Sequence, residues 1–403
     1  MSRGPRHQPL WIGLVLAAIL GMPAGLTGAG YSPNPERSPT SQQERRLVQS
    51  LFDLRRGQLD DAVRNASYLV KQQPNFSLAQ LVYADLLKAQ TEPLTSFGYR
   101  FRRDLINGHL DEARARLHRY VASPPASAVP ESLLQLPEGV PAVIVIDLEA
   151  YRMYLFEQVE GRFTRTRDFY VSIGKGGADK RREGDEKTPV GVYVVDDYLP
   201  GNTLPDMYGT GAFPINYPNG WDRSHGRTGS GIWIHGTESE NYSRPPLSSL
   251  GCVTLSNEDF AALERRVHVG RTPVIVSHGL RWIDAQVVES ERLDLEAAIE
   301  RWRGDWESRD AERYLRNYSE DFRTPDMTRA AFADHKRRVN AGKSFIQVEL
   351  EEVAAFRYPG ERDLVLVDFV QRYTSNSFSG VRRKHQYWRR EGGGWRVVFE
   401  EGL

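Results

Sequence analysis

The chain of 403 residues reads as a multidomain protein: an α-helical module first, a mainly-β domain in the middle and an α+β unit last. Three observations predict this order. Between Ser41 and about Tyr120 leucines recur at helical spacing, as at Leu47, Leu51 and Leu54. From Ala142 the apolar period shortens to that of strands, with runs such as Ala142-Val143-Ile144-Val145-Ile146. After Asp284 helical spacing returns at Leu295, Ile299, Trp302 and Trp306, and three long strands follow, at about 344–358, 363–375 and 381–390. The length suits two or three domains.

Taken in order, residues 1–29 have the layout of a secretory signal peptide. Arg3, Arg6 and His7 precede an apolar stretch from Leu10 to Leu20, and Thr27-Gly28-Ala29 offers a small-x-small cleavage site. The expectation is export to the periplasm, by cleavage near Ala29 or by retention as an inner-membrane anchor. Residues 30–40 are a Pro/Ser-rich linker. In residues 41–121 a helix, a second helix opening at Gly57-Gln58-Leu59, a Pro at 74 and a third helix from Ser77 resemble one or two degenerate tetratricopeptide units. Two units are too few for a binding solenoid, so the helices are expected to pack or to form a homodimer. Residues 122–140, rich in Pro, Ala and Ser, read as a linker. The mainly-β domain spans 141–278 and the last unit 285–403.

Composition narrows the function classes. Lys+Arg and Asp+Glu each number 53, which argues against a nucleic-acid partner held through its phosphates. Cys252 is the one cysteine, so no internal disulfide forms. The histidines show no HExxH or His-x-His spacing and have no second cysteine, so no metal site and no cofactor is expected.

Two strings carry chemistry: Ile232-Trp233-Ile234-His235-Gly236-Thr237 and Ser248-Ser249-Leu250-Gly251-Cys252-Val253. A histidine at the end of an apolar strand is held by a rigid element. A cysteine after a glycine can present its sulfur and backbone N–H at a turn. Together they suit thiol acyl transfer, in which the thiolate attacks a carbonyl, the imidazole takes the thiol proton and backbone N–H groups hold the oxyanion.

These strings, with VIVIDLEAYRMYLFE and SIGKGG followed by KTPVGVY upstream, resemble the L,D-transpeptidase catalytic domain of the YkuD family over about residues 140–278. The resemblance implies Cys252 as acyl-enzyme nucleophile, His235 as acid and base, the Gly236 carbonyl as orienter of the imidazole, and Ser249 and Gly251 with Cys252 as the oxyanion turn. It puts Tyr217 at the position of an active-site aromatic. It also shows two departures: Leu250 stands where the family often has His, and Thr254 where an Arg is common. Arg223, Arg227 and Arg244 are candidate substitutes for the substrate-binding arginine.

The stretch from Trp302 to Phe322, with the closing strands that end in GWRVVFE, is similar to the NTF2-like cone. Gln371 and Tyr373 share a strand face with Phe369 and could line a ligand pocket. A basic stretch at Arg382, Arg383, Lys384, Arg389 and Arg390 could meet a glycan, and a protein ligand is the other option for this unit. The three-part layout resembles a subgroup that includes cell-shape L,D-carboxypeptidases. It implies peptidoglycan stem peptides as substrate, with 3–3 cross-linking of tetrapeptides as the primary expectation and trimming of tetrapeptide to tripeptide as the alternative. Release of a wall-anchored lipoprotein, a non-catalytic wall-binding scaffold and a general cysteine protease are further readings.

Overall fold

The computed structural model describes residues 40–403 except 95–96, 99–102, 122 and 126; the expected leader at 1–29 and nearly all of the linker at 30–40 lie outside the described residues. Four helices come first: α1 (Gln42–Arg55), α2 (Leu59–Gln72), α3 (Ser77–Ala89) and α4 (Arg103–Val121). Ser41 caps α1 by accepting from the Glu44 N–H at 3.3 Å. Gly57, at φ 76°, ends that helix with the reversal an L side chain disfavours. Leu47, Leu51, Ala62, Leu69, Leu78 and Val82 bury against one another as one small core.

The segment expected as a linker forms two short strands, β1 (Ala128–Pro130) and β2 (Leu133–Gln135). The mainly-β domain then runs through β3 (Ala142–Asp147), β4 (Arg152–Val159), β5 (Arg162–Tyr170), β6 (Ile173–Gly174), β7 (Gly191–Val194), β8 (Leu199–Pro200), β9 (Gly211–Pro214), α5 (Gly220–Ser224), β10 (Trp233–His235), β11 (Leu247–Ser249), β12 (Val253–Thr254), α6 (Asn257–Glu264) and β13 (Pro273–Ser277). One sheet has the order β5-β4-β3-β13-β7, and a second has β12-β10-β9-β8. Strand β3 is buried along its whole length. Its even-numbered residues Ile144 and Ile146 face a core shared with Ile234 and Val253 of the second sheet. The two sheets therefore sandwich one apolar layer, and the chemistry-bearing strands lie on its far side.

The last unit comprises β14 (Trp282–Asp284), α7 (Ala285–Glu307), α8 (Ala311–Leu315), β15 (Tyr318–Arg323), α9 (Arg329–Ala341), β16 (Ile346–Arg357), β17 (Leu364–Ser375), β18 (Ser379–Glu391) and β19 (Gly394–Gly402). Its six-stranded sheet has the order β15-β19-β18-β17-β16-β2, so the early strand β2 supplies the outer edge. Strand β1 pairs with β14. Through β1 and β2, residues 128–135 thus pair with strands of the last unit, where the sequence predicts a linker. Trp221 of α5 stacks on Tyr387 of β18, with ring centroids 4.8 Å apart and planes 17° apart. Trp282 meets Tyr154 edge-on at 5.1 Å. Residues of β3, β4 and β13 share a continuous apolar core with the cone, so the two units pack as one block.

The N-terminal helices are joined to the middle domain by buried charges. Arg152 of β4 bonds to Glu44 of α1 at 2.8 Å and to Asp168 of β5 at 2.6 Å. Arg116 of α4 reaches Glu44 at 2.6 Å and Glu112 at 2.9 Å, and Arg119 pairs with Asp168. In the cone, Phe369 and Gln371 are buried, and half-buried Tyr373 lies 5.3 Å from Trp306. The basic stretch on β18 is largely paired: Arg383 with Asp368, Lys384 with Glu400 and Arg390 with Asp294.

Candidate active site

Four separate strings of the sequence converge here. Strands β10 and β12 run parallel, with Ile234 opposite Val253 and His235 opposite Thr254. Side chains alternate along a strand, so Ile234 and Val253 enter the core while His235 and Thr254 share the opposite face, and Cys252 directly precedes Val253. The Thr188 hydroxyl donates to the Gly251 carbonyl at 3.0 Å and accepts the Gly174 N–H at 3.0 Å, tying the Thr-Pro-Val-Gly turn and the Gly-Lys loop to the cysteine turn. Gly174 has no room for a side chain, because an added Cβ would overlap the Glu186 carbonyl.

Ser249 closes the turn before the cysteine. Its hydroxyl donates to the Cys252 carbonyl at 2.6 Å and accepts the Gly251 N–H at 3.1 Å. Gly251 has φ 127°, and a Cβ there would lie 2.8 Å from the Lys187 carbonyl. We therefore expect Gly251→Ala to strain this turn by about 1–3 kcal/mol and to lower turnover far more than it lowers the melting temperature, read by paired activity and thermal-unfolding measurements. The thiol of Cys252 donates to the Gly231 carbonyl at 3.5 Å. Leu250, beside it, is 65% exposed.

His235 is buried. Its Nδ1 lies 2.6 Å from the Gly236 carbonyl. A carbonyl only accepts, so Nδ1 carries the proton and Nε2 carries the basic lone pair. Nε2 accepts from the Thr254 hydroxyl at 3.4 Å. Burial drives the imidazole pKa down to about 4; the Gly236 hydrogen bond opposes that shift and the Arg244 charge adds to it. Burial also pushes the Cys252 thiol up, against a backbone hydrogen bond at Trp233 and the charges of Arg244 and Lys180. At neutral pH the pair rests as thiol and neutral imidazole.

Arg244 is wired close to both groups. Its Nε donates to Thr237 at 3.1 Å and to Glu238 at 2.7 Å, and its terminal nitrogen donates to the Met207 carbonyl at 2.6 Å. The other sequence candidates are placed differently. Tyr217 is buried, and its hydroxyl donates to the Thr228 carbonyl at 3.1 Å, beneath the loop that carries Lys180. Arg223 donates to the Pro218 carbonyl at 2.6 Å and pairs with Glu401 of the cone at 3.5 Å. Arg227 pairs with Asp222 at 3.0 Å. The structure thus brings Cys252, His235, Gly236, Ser249, Gly251 and Arg244 together, and turns Arg223 to the domain seam.

Residues beyond the sequence candidates complete the site. Thr254 stands where the family pattern has an arginine and makes the contact to Nε2. Tyr208 packs edge-on to His235 at 5.1 Å and against Trp233 at 4.8 Å, forming an aromatic wall. Buried Lys180 is held by Asp185 at 2.8 Å. Asp185 also accepts from the backbone N–H groups of Arg181 and Arg182 at 2.8 and 3.0 Å, which shapes the loop over the site. The spacing KRREGDEK is the one hint of such a self-closing acidic turn.

Comparison with known proteins places these units. The L,D-transpeptidase catalytic domain family, YkuD, matches residues 141–276. The Cds6 C-terminal NTF2-like domain matches residues 294–401. The chain is 29% identical over 121 residues to the Escherichia coli K12 protein YafK, whose name gives it as a candidate L,D-transpeptidase. That alignment covers 30% of this chain and 44% of YafK. The solved structure of Bdellovibrio bacteriovorus Bd1075 superposes with TM-score 0.60 at 29% identity, covering 68% of this chain and 98% of that one. Pgp2 of Campylobacter jejuni, titled a helical cell shape determining protein, shares the fold with TM-score 0.58 at 24% identity, over 68% of this chain and 95% of its own.

Proposed function

We propose that this chain, which carries a YkuD-type L,D-transpeptidase catalytic domain ahead of a Cds6-type NTF2-like domain, is an exported acyltransferase acting on peptidoglycan tetrapeptide stems through Cys252. The observation that carries this reading is His235 on the strand paired with the one that Cys252 leads into, with Nδ1 locked on Gly236 and the Arg244 charge acting on both side chains. Nε2 takes the proton as Sγ adds to the carbonyl of the L-centre of a diamino acid. Collapse of the tetrahedral intermediate expels D-Ala, which leaves with the proton held by His235, and a thioester remains on Cys252. The amine of a second stem then loses a proton to His235 and attacks the thioester, giving a 3–3 cross-link and the free thiol. If water takes that place, the product is a tripeptide.

Incubating the protein with purified disaccharide-tetrapeptide and reading products by mass spectrometry tests this directly. Cross-linked dimer with release of free D-Ala is the expected result. Tripeptide and D-Ala alone would reassign the reaction as L,D-carboxypeptidase on the same residues. A carbapenem is expected to add its mass to Cys252 under reducing conditions. Absence of both product and adduct would leave the domain as a wall-binding scaffold.

A further inference from the structure

The loop from His235 to Cys252 leaves the catalytic domain and is gripped by the N-terminal helices. Tyr242 is buried in the helical core, with its ring 4.4 Å from that of Phe76. Its backbone N–H donates to the Asn75 carbonyl at 3.0 Å. The Asn75 side chain in turn donates to the Ser239 carbonyl at 3.2 Å. Ser243 donates to Glu112 of α4 at 2.6 Å. Pro245 packs on α4 where Gly108 leaves space, since a Cβ at 108 would lie 2.9 Å from the proline ring. On the opposite side, Tyr170 and Ser172 both donate to the Arg244 carbonyl, at 3.0 and 2.8 Å. Arg244 thus sits between two helix-held neighbours, and its guanidinium returns to Thr237 and Glu238 beside the catalytic pair.

We propose that the helical module is a clamp on the catalytic loop, and that Tyr242 is a positioning residue which sets where Arg244 stands relative to Cys252 and His235. Among the described residues, the clamp's hydrogen bonds go to the loop and not to the Cys252 or His235 side chains. It fixes two ends of a segment that would otherwise cross open surface between β10 and β11, and such segments hold geometry poorly without support. The groups whose charge bears on the Cys252–His235 pair are Arg244 and Glu238 of this loop and Lys180 of the Gly-Lys loop. Of the two charges that lower the Cys252 pKa, Arg244 lies in the clamped segment and Lys180 does not. The idea deepens the acyltransfer reading, and it is testable without substrate.

The experiment compares full-length wild type with Tyr242→Ala, Tyr242→Phe and Gly108→Val. The valine wedges against Pro245 and leaves the helical core filled, so it covers the case in which Tyr242→Ala fails to fold. The readouts are the pH dependence of Cys252 alkylation by iodoacetamide and the kcat and KM for disaccharide-tetrapeptide. We expect the alkylation midpoint to rise in Tyr242→Ala and Gly108→Val as the Arg244 charge is withdrawn. We expect kcat to fall up to about a hundredfold, as misplacement by an ångström can cause. Tyr242→Phe keeps the ring and is expected to behave as wild type. Folded variants with the wild-type alkylation midpoint and kcat would overturn the clamp. A shifted midpoint in a protein that never turns over muropeptide would keep the clamp and sink the acyltransfer reading instead.

Discussion

Cys252→Ala is expected to leave no acyl-enzyme and no product, and His235→Asn to lower kcat/KM by about a thousandfold. The size of the second effect follows from the resting state of the pair. Burial keeps the thiol protonated and the imidazole neutral, so in the proposed reaction the nucleophile is made by proton transfer to Nε2 during attack. A preformed thiolate would need the base less. The same argument fixes the pH profile. A base with pKa about 4 works when neutral, so kcat/KM rises as pH rises through about 4 and is flat by about 6. An exposed imidazole would place that limb near 6.5. A profile centred there, on protein shown to be folded, would falsify the buried-base account. Folding stability carries the same signature. The unfolded chain binds a proton at His235 near pH 6.5 while the folded chain resists until about 4, so stability is full above about 6.5 and falls as pH drops through this window. The loss is on the order of 3 kcal/mol, and a neutral Gln at 235 removes it.

Which parts of this site could be read from the sequence follows from how local their causes are. His235 and Cys252 were legible because each sits in a short string whose apolar neighbours impose the strand that aims it. The cone strands were legible because they are long and alternate. Leu133–Gln135 was not, because a three-residue strand is chosen by the free edge of β16 and not by its own propensity. Arg329–Ala341 was missed because its apolar stripe is thin, with Phe332 and Ala333 its buried apolar residues among Arg, Lys and His. Nothing in Asn-Tyr-Ser-Arg-Pro-Pro marks Tyr242, because its packing partner Phe76 is far away in the chain. At Thr254 the sequence by itself shows only the absence of an arginine. Its hydroxyl became meaningful only once the parallel register set it beside His235.

Asp168→Ala is expected to be the most destabilising single change at the junction between the helices and the catalytic sheet. Its two oxygens serve two arginines: Oδ1 accepts from Arg152 at 2.7 Å and Oδ2 accepts from Arg119. All three residues are buried. Three guanidiniums (Arg116, Arg119 and Arg152) face three carboxylates (Glu44, Glu112 and Asp168) in this network, so the cluster is balanced, and removing one carboxylate strands a positive charge out of water. Breaking one partner of a buried pair costs about 3–5 kcal/mol, because the desolvation penalty of the other charge stays while its compensation goes. Urea unfolding of Asp168→Ala measures this directly. Adding Arg119→Met to the same chain removes the stranded charge and is expected to recover a large part of the loss, giving a coupling energy that two independent sites would not show. A loss below about 1 kcal/mol in the single variant would mean that water reaches the cluster and that it acts as a surface network. The cluster also reaches the loop between β10 and β11. Glu112 serves both Arg116 and Ser243, so the charges that orient α4 on the sheet also set the place from which it holds the catalytic loop.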